Sequence, residues 1–306
     1  MKTINRRKFL KDMGMLTTVA GLSTLIPLEL MAFAKKDFFN ISLAEWSFHK
    51  ALQGGKMTNL DFPLKAKNDF GINIVEYVSP FFNQKETDPA YLKELLTITQ
   101  NEGIQNHLIM VDGEGSLGDL NEKARLTAVQ NHHKWIIAAK TLGCNTIRVN
   151  AAGNGTAEEV KSAAVEGLGK LTEFGQQHQI NVIVENHGGY SSDGKWLSSL
   201  IKQVNNPYCG TLPDFGNFRI SEKIEFDKYQ GVQELLPLAK GISAKTYDFD
   251  AQGNETSIDY SRMFKIIKEA NWSGIIGIEY EGSKLSEVDG IRKTKMLLER
   301  MKQQYA

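Results

Sequence analysis

Eight short runs rich in β-branched and aromatic residues recur along the chain, beginning near Ile41, Ile72, Ile104, Asn145, Asn181, Cys209, Gly241 and Ile275, about 33 residues apart on average. They read ISLAEWSF, INIVEYV, IQNHLIMV, NTIRVN, NVIVEN, CGTLPDFG, ISAKTYDF and IIGIEYEG, each too short for a helix. Helical patterns separate them. Asp88-Pro89 opens one as an N-cap with proline in the first turn, and that helix stops at Gly103. Thr156 and Glu159 open another at capping-box spacing. Trp196, Leu197, Leu200, Ile201 and Val204 form a single apolar stripe. Gly71, Gly103 and Gly143 each stop a helix directly before a strand. Strands that alternate with helices, with no hairpin signal between them, require parallel pairing through crossover helices. Eight such units predict a closed (β/α)8 TIM barrel. The open doubly wound sheet lacks its mark, a G-x-G-x-x-G after the first strand.

The amino terminus sits outside this repeat. Asn5-Arg6-Arg7-Lys8-Phe9-Leu10-Lys11 precedes a mostly uncharged apolar run, Met13 to Ala34, that ends Ala32-Phe33-Ala34. The run is short and contains Pro27 and Glu29, which favours a cleaved export signal over a membrane anchor. The paired arginines resemble a twin-arginine signal, although Asn5 stands where Ser or Thr is usual. The expected organisation is therefore a signal peptide over residues 1–34, cut after Ala34, and one barrel domain over 35–306, with no membrane anchor after processing and a periplasmic location. About 270 residues remain, close to the roughly 250 typical of this barrel. The signal holds a surplus of three positive charges, leaving the remainder about three charges negative in a chain that is neutral overall. No nucleic-acid partner is implied. Cys144 and Cys209 stand at separate strand starts and read as free buried thiols.

In a barrel of this kind the reacting groups project from the C-terminal ends of the strands. The last polar residues of the runs are Glu45 and Trp46, Glu76, His107, Arg148 and Asn150, Glu185-Asn186-His187, Asp214 with Asn217, Ser243 with Lys245, and Glu279 with Glu281. Glu185, Asp214 and Glu279 would meet at one mouth. Three carboxylates in a partly dry site repel unless a cation or a proton neutralises them. An oxygen-rich shell suits Mn²⁺, Mg²⁺ or Co²⁺ better than a thiolate-seeking metal, and Zn²⁺ is also open.

The segments VIVENHGG, LPDFGNF and GIIGIEYEG resemble the fifth, sixth and eighth strand ends of the xylose-isomerase-like sugar isomerases and epimerases, a likeness that spans essentially residues 35–306. The resemblance implies one divalent metal held by a Glu after strand 5, an Asp after strand 6, a His on strand 7 and a Glu after strand 8. Glu185, Asp214 and Glu279 match three of these. It further implies that the two end glutamates act as the acid/base pair on either side of a metal-bound ketose or enediolate. The fourth position departs: Ser243 stands two residues before Lys245, where the family usually has His. His187 or water is then the remaining ligand, or the metal is held more weakly than usual, or it is absent and Lys245 supplies the positive charge. A purely structural alternative pairs Glu185 and Asp214 with Arg148 and Lys245.

The expected activity is isomerisation or epimerisation of a sugar or keto-sugar by proton abstraction α to a carbonyl, with Glu185, Glu279 and Lys245 catalytic. Trp46, Glu76, His107, Asn150, Tyr247 and Glu281 are the expected substrate-binding residues. A lyase or hydratase acting on 3-keto-glycosides needs the same proton abstraction and is the alternative, as is a non-catalytic sugar-binding barrel. An apurinic-site endonuclease would need more histidines, one of them where Asn217 stands, and a basic face. A homo-oligomer is open.

Overall fold

The computed structural model describes residues 38–305, so the expected signal peptide and its cleavage site after Ala34 lie outside the described residues. Eight parallel strands line a barrel: β1 Phe39–Ala44, β2 Ile74–Val78, β3 Gln105–Met110, β4 Thr146–Val149, β5 Asn181–Glu185, β6 Cys209–Leu212, β7 Ile242–Thr246 and β8 Gly274–Tyr280. They are ordered β6-β5-β4-β3-β2-β1-β8-β7. A helix follows each strand: α1 Phe62–Phe70, α2 Pro89–Asn101, α3 Glu122–Leu142, α4 Ala157–His178, α5 Gly194–Val204, α6 Lys228–Leu235, α7 Tyr260–Glu269 and α8 Glu287–Tyr305. None among the described residues is long and apolar enough to cross a membrane.

The local signals act where the sequence places them. Asp88 accepts the Ala90 amide at 2.9 Å, and Thr156 and Glu159 close a reciprocal capping box. Gly71, Gly103 and Gly143 take positive φ, and both cysteines are free and buried. Alternation along the strands separates two apolar sets. Ala44, Val78, Leu108, Met110, Ile183 and Leu212 face inward. Their neighbours Leu43, Ile109, Val182, Val184 and Ile278 pack outward against the helices, where most of the core lies.

Three features depart from the sequence expectation. Runs 1 and 6 are shorter as strands than their composition suggests. Glu45–Phe48 coils into a 3-10 turn whose Glu45 carboxylate receives the Val78 amide. Pro213 ends β6, because proline has no N–H to continue the ladder. As a result β6 meets β7 only through single bridges, Thr211 to Ala239 and Asp214 to Ser243. Finally, a two-stranded antiparallel ribbon, Arg219–Ser221 with Ile224–Glu225, rises from the loop after β6. Its strands are only three and two residues long, too short for a hydrophobic alternation to reveal them.

Gly231 of α6 anchors that loop. A β-carbon there would lie 2.0 Å from Cε1 of the Phe218 ring. Gly231→Ala is expected to lower stability by about 1–3 kcal/mol through overpacking, read as a shift in the urea midpoint. An unchanged midpoint would mean that the ring moves freely and the loop is not held there.

Candidate active site

At the C-terminal mouth of the barrel, the ends of β5, β6 and β8 bring three carboxylates together. One oxygen from each of Glu185, Asp214 and Glu279 lies within 4.8 Å of the others. All three side chains are buried, with residue exposures of 1%, 0% and 4%. The cluster straddles the weak β6/β7 seam, since Asp214 bridges to Ser243 across it.

Each carboxylate is wired differently. Glu185 lies 2.8 Å from Arg148 Nε through one oxygen and accepts the Asn217 amide at 3.0 Å on the other. Asp214 Oδ1 receives the backbone amides of Gly216 and Asn217 at 2.7 and 2.8 Å. Its Oδ2 has no hydrogen-bond donor. Glu279 accepts Lys245 Nζ at 2.7 Å on Oε1 and Ser243 Oγ at 2.8 Å on Oε2. Lys245, itself 1% exposed, also reaches Glu281 at 3.2 Å and Asp214 at 3.9 Å.

These surroundings separate the proton affinities. Burial pushes the carboxyls of Glu185 and Asp214 up to about 7, against the pull of Arg148 on the first and Lys245 on the second. Burial acts upward on Glu279 as well. There the adjacent Lys245 and the Ser243 hydrogen bond win and hold it below its ordinary value. Lys245 stays charged: desolvation works against its ammonium, but Glu279, Asp214 and Glu281 raise it well above the usual lysine range.

The other expected site residues divide. Trp46 donates its indole N–H to Glu281 and stacks between His49 and Phe81, with centroids 5.0 and 6.0 Å away. Asn150 donates to Asp112 at 2.7 Å, and Asp112 also accepts Arg148 at 2.7 Å. Tyr247 places its hydroxyl over Gly216, 2.6 Å from where a β-carbon would sit. Glu76 lies deeper, bonded to Ser42 at 2.6 Å and covering Gly277, whose β-carbon would stand 2.7 Å from Oε2. His107 is placed away from the mouth. It is the extra residue at a register shift between β2 and β3, and its Nε2 faces Gly241 at the start of β7. Burial lowers its imidazole to about 4.

His187 is not brought into the carboxylate cluster. It is exposed on the loop after β5, just before Gly188 and Gly189, which both take positive φ, and it remains within electrostatic reach of Asp112, Arg148, Lys245 and Glu279. The three carboxylates therefore stand as the oxygen donors, without a histidine among them. The structural pairing considered from sequence is also present, and it coexists with the cluster. Asp112 was missed. It follows the apolar end of run 3, so reading the residue just past the strand, rather than the last polar residue within it, would have found it in place of His107.

Glu76 carries a pH signature. Burial lifts its carboxyl from the ordinary 4.5 to about 8, with Glu279 and Glu185 adding to the shift. Between these values the fold binds more protons than the unfolded chain, so stability falls as pH rises through the window. Glu76→Gln is expected to flatten the decline in urea midpoint between about pH 5 and 8. An unaltered slope would place the proton elsewhere.

Residues 64–303 match the family model described as xylose isomerase-like TIM barrel. No curated protein matches the sequence. Among solved structures, the chain is similar to the IOLI protein with a binding zinc atom, at 15% identity and TM-score 0.69, covering 87% of this chain and 99% of that one. It is also similar to a D-allulose 3-epimerase from Methylomonas sp., at 13% identity and TM-score 0.66, covering 87% and 98%. A third is the 3-keto-D-glucoside 4-epimerase YcjR from E. coli, at 14% identity and TM-score 0.62, covering 87% and 100%. At these identities the likeness is one of fold.

Proposed function

The chain belongs to the xylose isomerase-like TIM barrel family, and from that premise we propose that it is a sugar isomerase or epimerase that moves a proton on a carbon next to a carbonyl. The observation that carries this reading is the set of three buried carboxylates from three strand ends, two of them glutamates with opposed proton affinities. Two titratable groups pushed apart in one site divide the roles of acid and base. Glu279, kept ionised by Lys245 and Ser243, is the base. Glu185, near 7, holds the proton to be returned. Arg148 fixes its carboxylate in place, and Asn217 orients its second oxygen. Trp46, Asn150, Tyr247 and Glu281 surround the mouth and supply ring and polar contacts for a sugar.

The donor set fits a divalent cation. Asp214 Oδ2 is a buried oxygen without a hydrogen-bond donor, and hard oxygens suit Mn²⁺, Mg²⁺, Co²⁺ or Zn²⁺. Glu185, Asp214 and Glu279 would hold it, and when bound it would supply Lewis-acid polarisation of the carbonyl. The twin-arginine-like start supports export, and an exported enzyme meets free sugars, keto-sugars and glycosides.

Incubation with ketohexoses and a methyl 3-keto-glucoside in deuterated water, in the presence of Mn²⁺, tests the reading. Deuterium at the carbon beside the carbonyl, with the epimer or isomer accumulating, is expected. Release of methanol would assign elimination by a lyase instead. No exchange with any of these sugars would leave a binding role and sink the proposal.

A further inference from the structure

The carboxylate cluster already contains a cation. Lys245 Nζ lies 2.7 Å from Glu279, 3.2 Å from Glu281 and 3.9 Å from Asp214, almost fully buried on an inward-facing position of β7. Ser243, two residues earlier on the same face, donates to the other oxygen of Glu279. Both oxygens of Glu279 are thereby occupied from within the chain. By contrast, Asp214 Oδ2 has no hydrogen-bond donor, and Glu185 Oε2 meets only the Arg148 guanidinium, at 2.8 Å. Asp214 thus offers an open oxygen to a cation, whereas Glu279 is held back by a buried ammonium.

We propose that Lys245 is a built-in competitor for the divalent cation, holding Glu279 away from it so that the cluster takes metal weakly and reversibly. A dication bound by Glu279 would sit close to the ammonium, in a site too dry to screen the repulsion. Glu279 must release Lys245 and Ser243 to become a ligand, and Lys245 then falls back on Glu281, which it already touches and which Trp46 holds in place. Glu281 is the receiving partner of this exchange. The inference rests on Glu185, Asp214 and Glu279 forming the cation site. It does not depend on which sugar is turned over.

Mn²⁺ titration followed by the electron paramagnetic resonance of the free ion tests it, on the full chain stripped of metal. Lys245→Met is expected to bind Mn²⁺ at least about tenfold more tightly than wild type, because a repelling charge is removed and Glu279 is freed. Ser243→Ala should tighten binding by less. Lys245→Met combined with Glu281→Gln keeps the net charge of the site, and part of the gain should persist, since release of Glu279 contributes beside the change in charge. If Lys245→Met alone does not fold, by near-ultraviolet circular dichroism, the other two variants carry the test. Equal or weaker Mn²⁺ binding in folded variants would overturn the proposal. So would a gain that survives Asp214→Asn, which would place the ion outside the cluster. Sugar exchange in deuterated water is scored separately: affinities in the expected order with no exchange would refute the isomerase reading and leave the competition standing.

Discussion

Glu279→Gln and Glu185→Gln should each lower the rate of proton exchange from a turned-over sugar into deuterated water by about 10²–10⁴-fold, the usual contribution of a positioned acid or base. Both substitutions keep the side-chain shape. Glu185→Gln removes a carboxylate that burial disfavours and should retain its urea midpoint. Glu279→Gln takes the nearest counter-charge from buried Lys245 and should lower it, so near-ultraviolet circular dichroism is the check that the fold survives. The two variants should differ in one respect. Glu279 is held ionised by Lys245 and Ser243, whereas Glu185 has its proton affinity raised to about 7. Loss of Glu185 should thus change the limb of the pH–rate profile near 7, to which Asp214 also contributes, while loss of Glu279 should leave it in place. Undiminished exchange in either variant would remove that residue from the proton pathway.

Arg148→Met carries the largest expected effect on stability. The guanidinium is 4% exposed and bridges Glu185 at 2.8 Å to Asp112 at 2.7 Å. Removing it strands a buried carboxylate wherever Glu185 is ionised, which typically costs about 3–5 kcal/mol, so the loss should be largest above about pH 7. The loss belongs to the uncompensated charge rather than to lost packing, and a double variant can demonstrate this. Arg148→Met with Glu185→Gln should recover much of the urea midpoint, because the orphaned charge has gone. A double variant no more stable than Arg148→Met alone would instead attribute the cost to the arginine's aliphatic stem and its bond to Asp112.

The barrel itself is a consequence of local order. Eight β-rich runs, each followed by a capped and glycine-stopped helix, leave parallel pairing as the arrangement that satisfies every strand, and that is readable residue by residue. Strand polarity then puts Glu185, Asp214 and Glu279 at the same end of the barrel. Where a local signal was absent, the sequence reading erred. The register shift that turns His107 toward Gly241, and the short ribbon after β6, arise from how strands meet, not from composition.

What only the tertiary structure decided is which charges face one another. Sequence places Lys245, Ser243 and Glu279 on two strands. Their pairing depends on the register of β7 against β8, in which Glu279 lies level with Lys245. In the same way, the path of the loop after β5 left His187 outside the cluster, and the burial of Glu185 set its proton affinity. A sequence fixes residue types and their periodicity. Distance and desolvation, which decide the strength and even the sign of a charge's effect, exist only once the chain has closed.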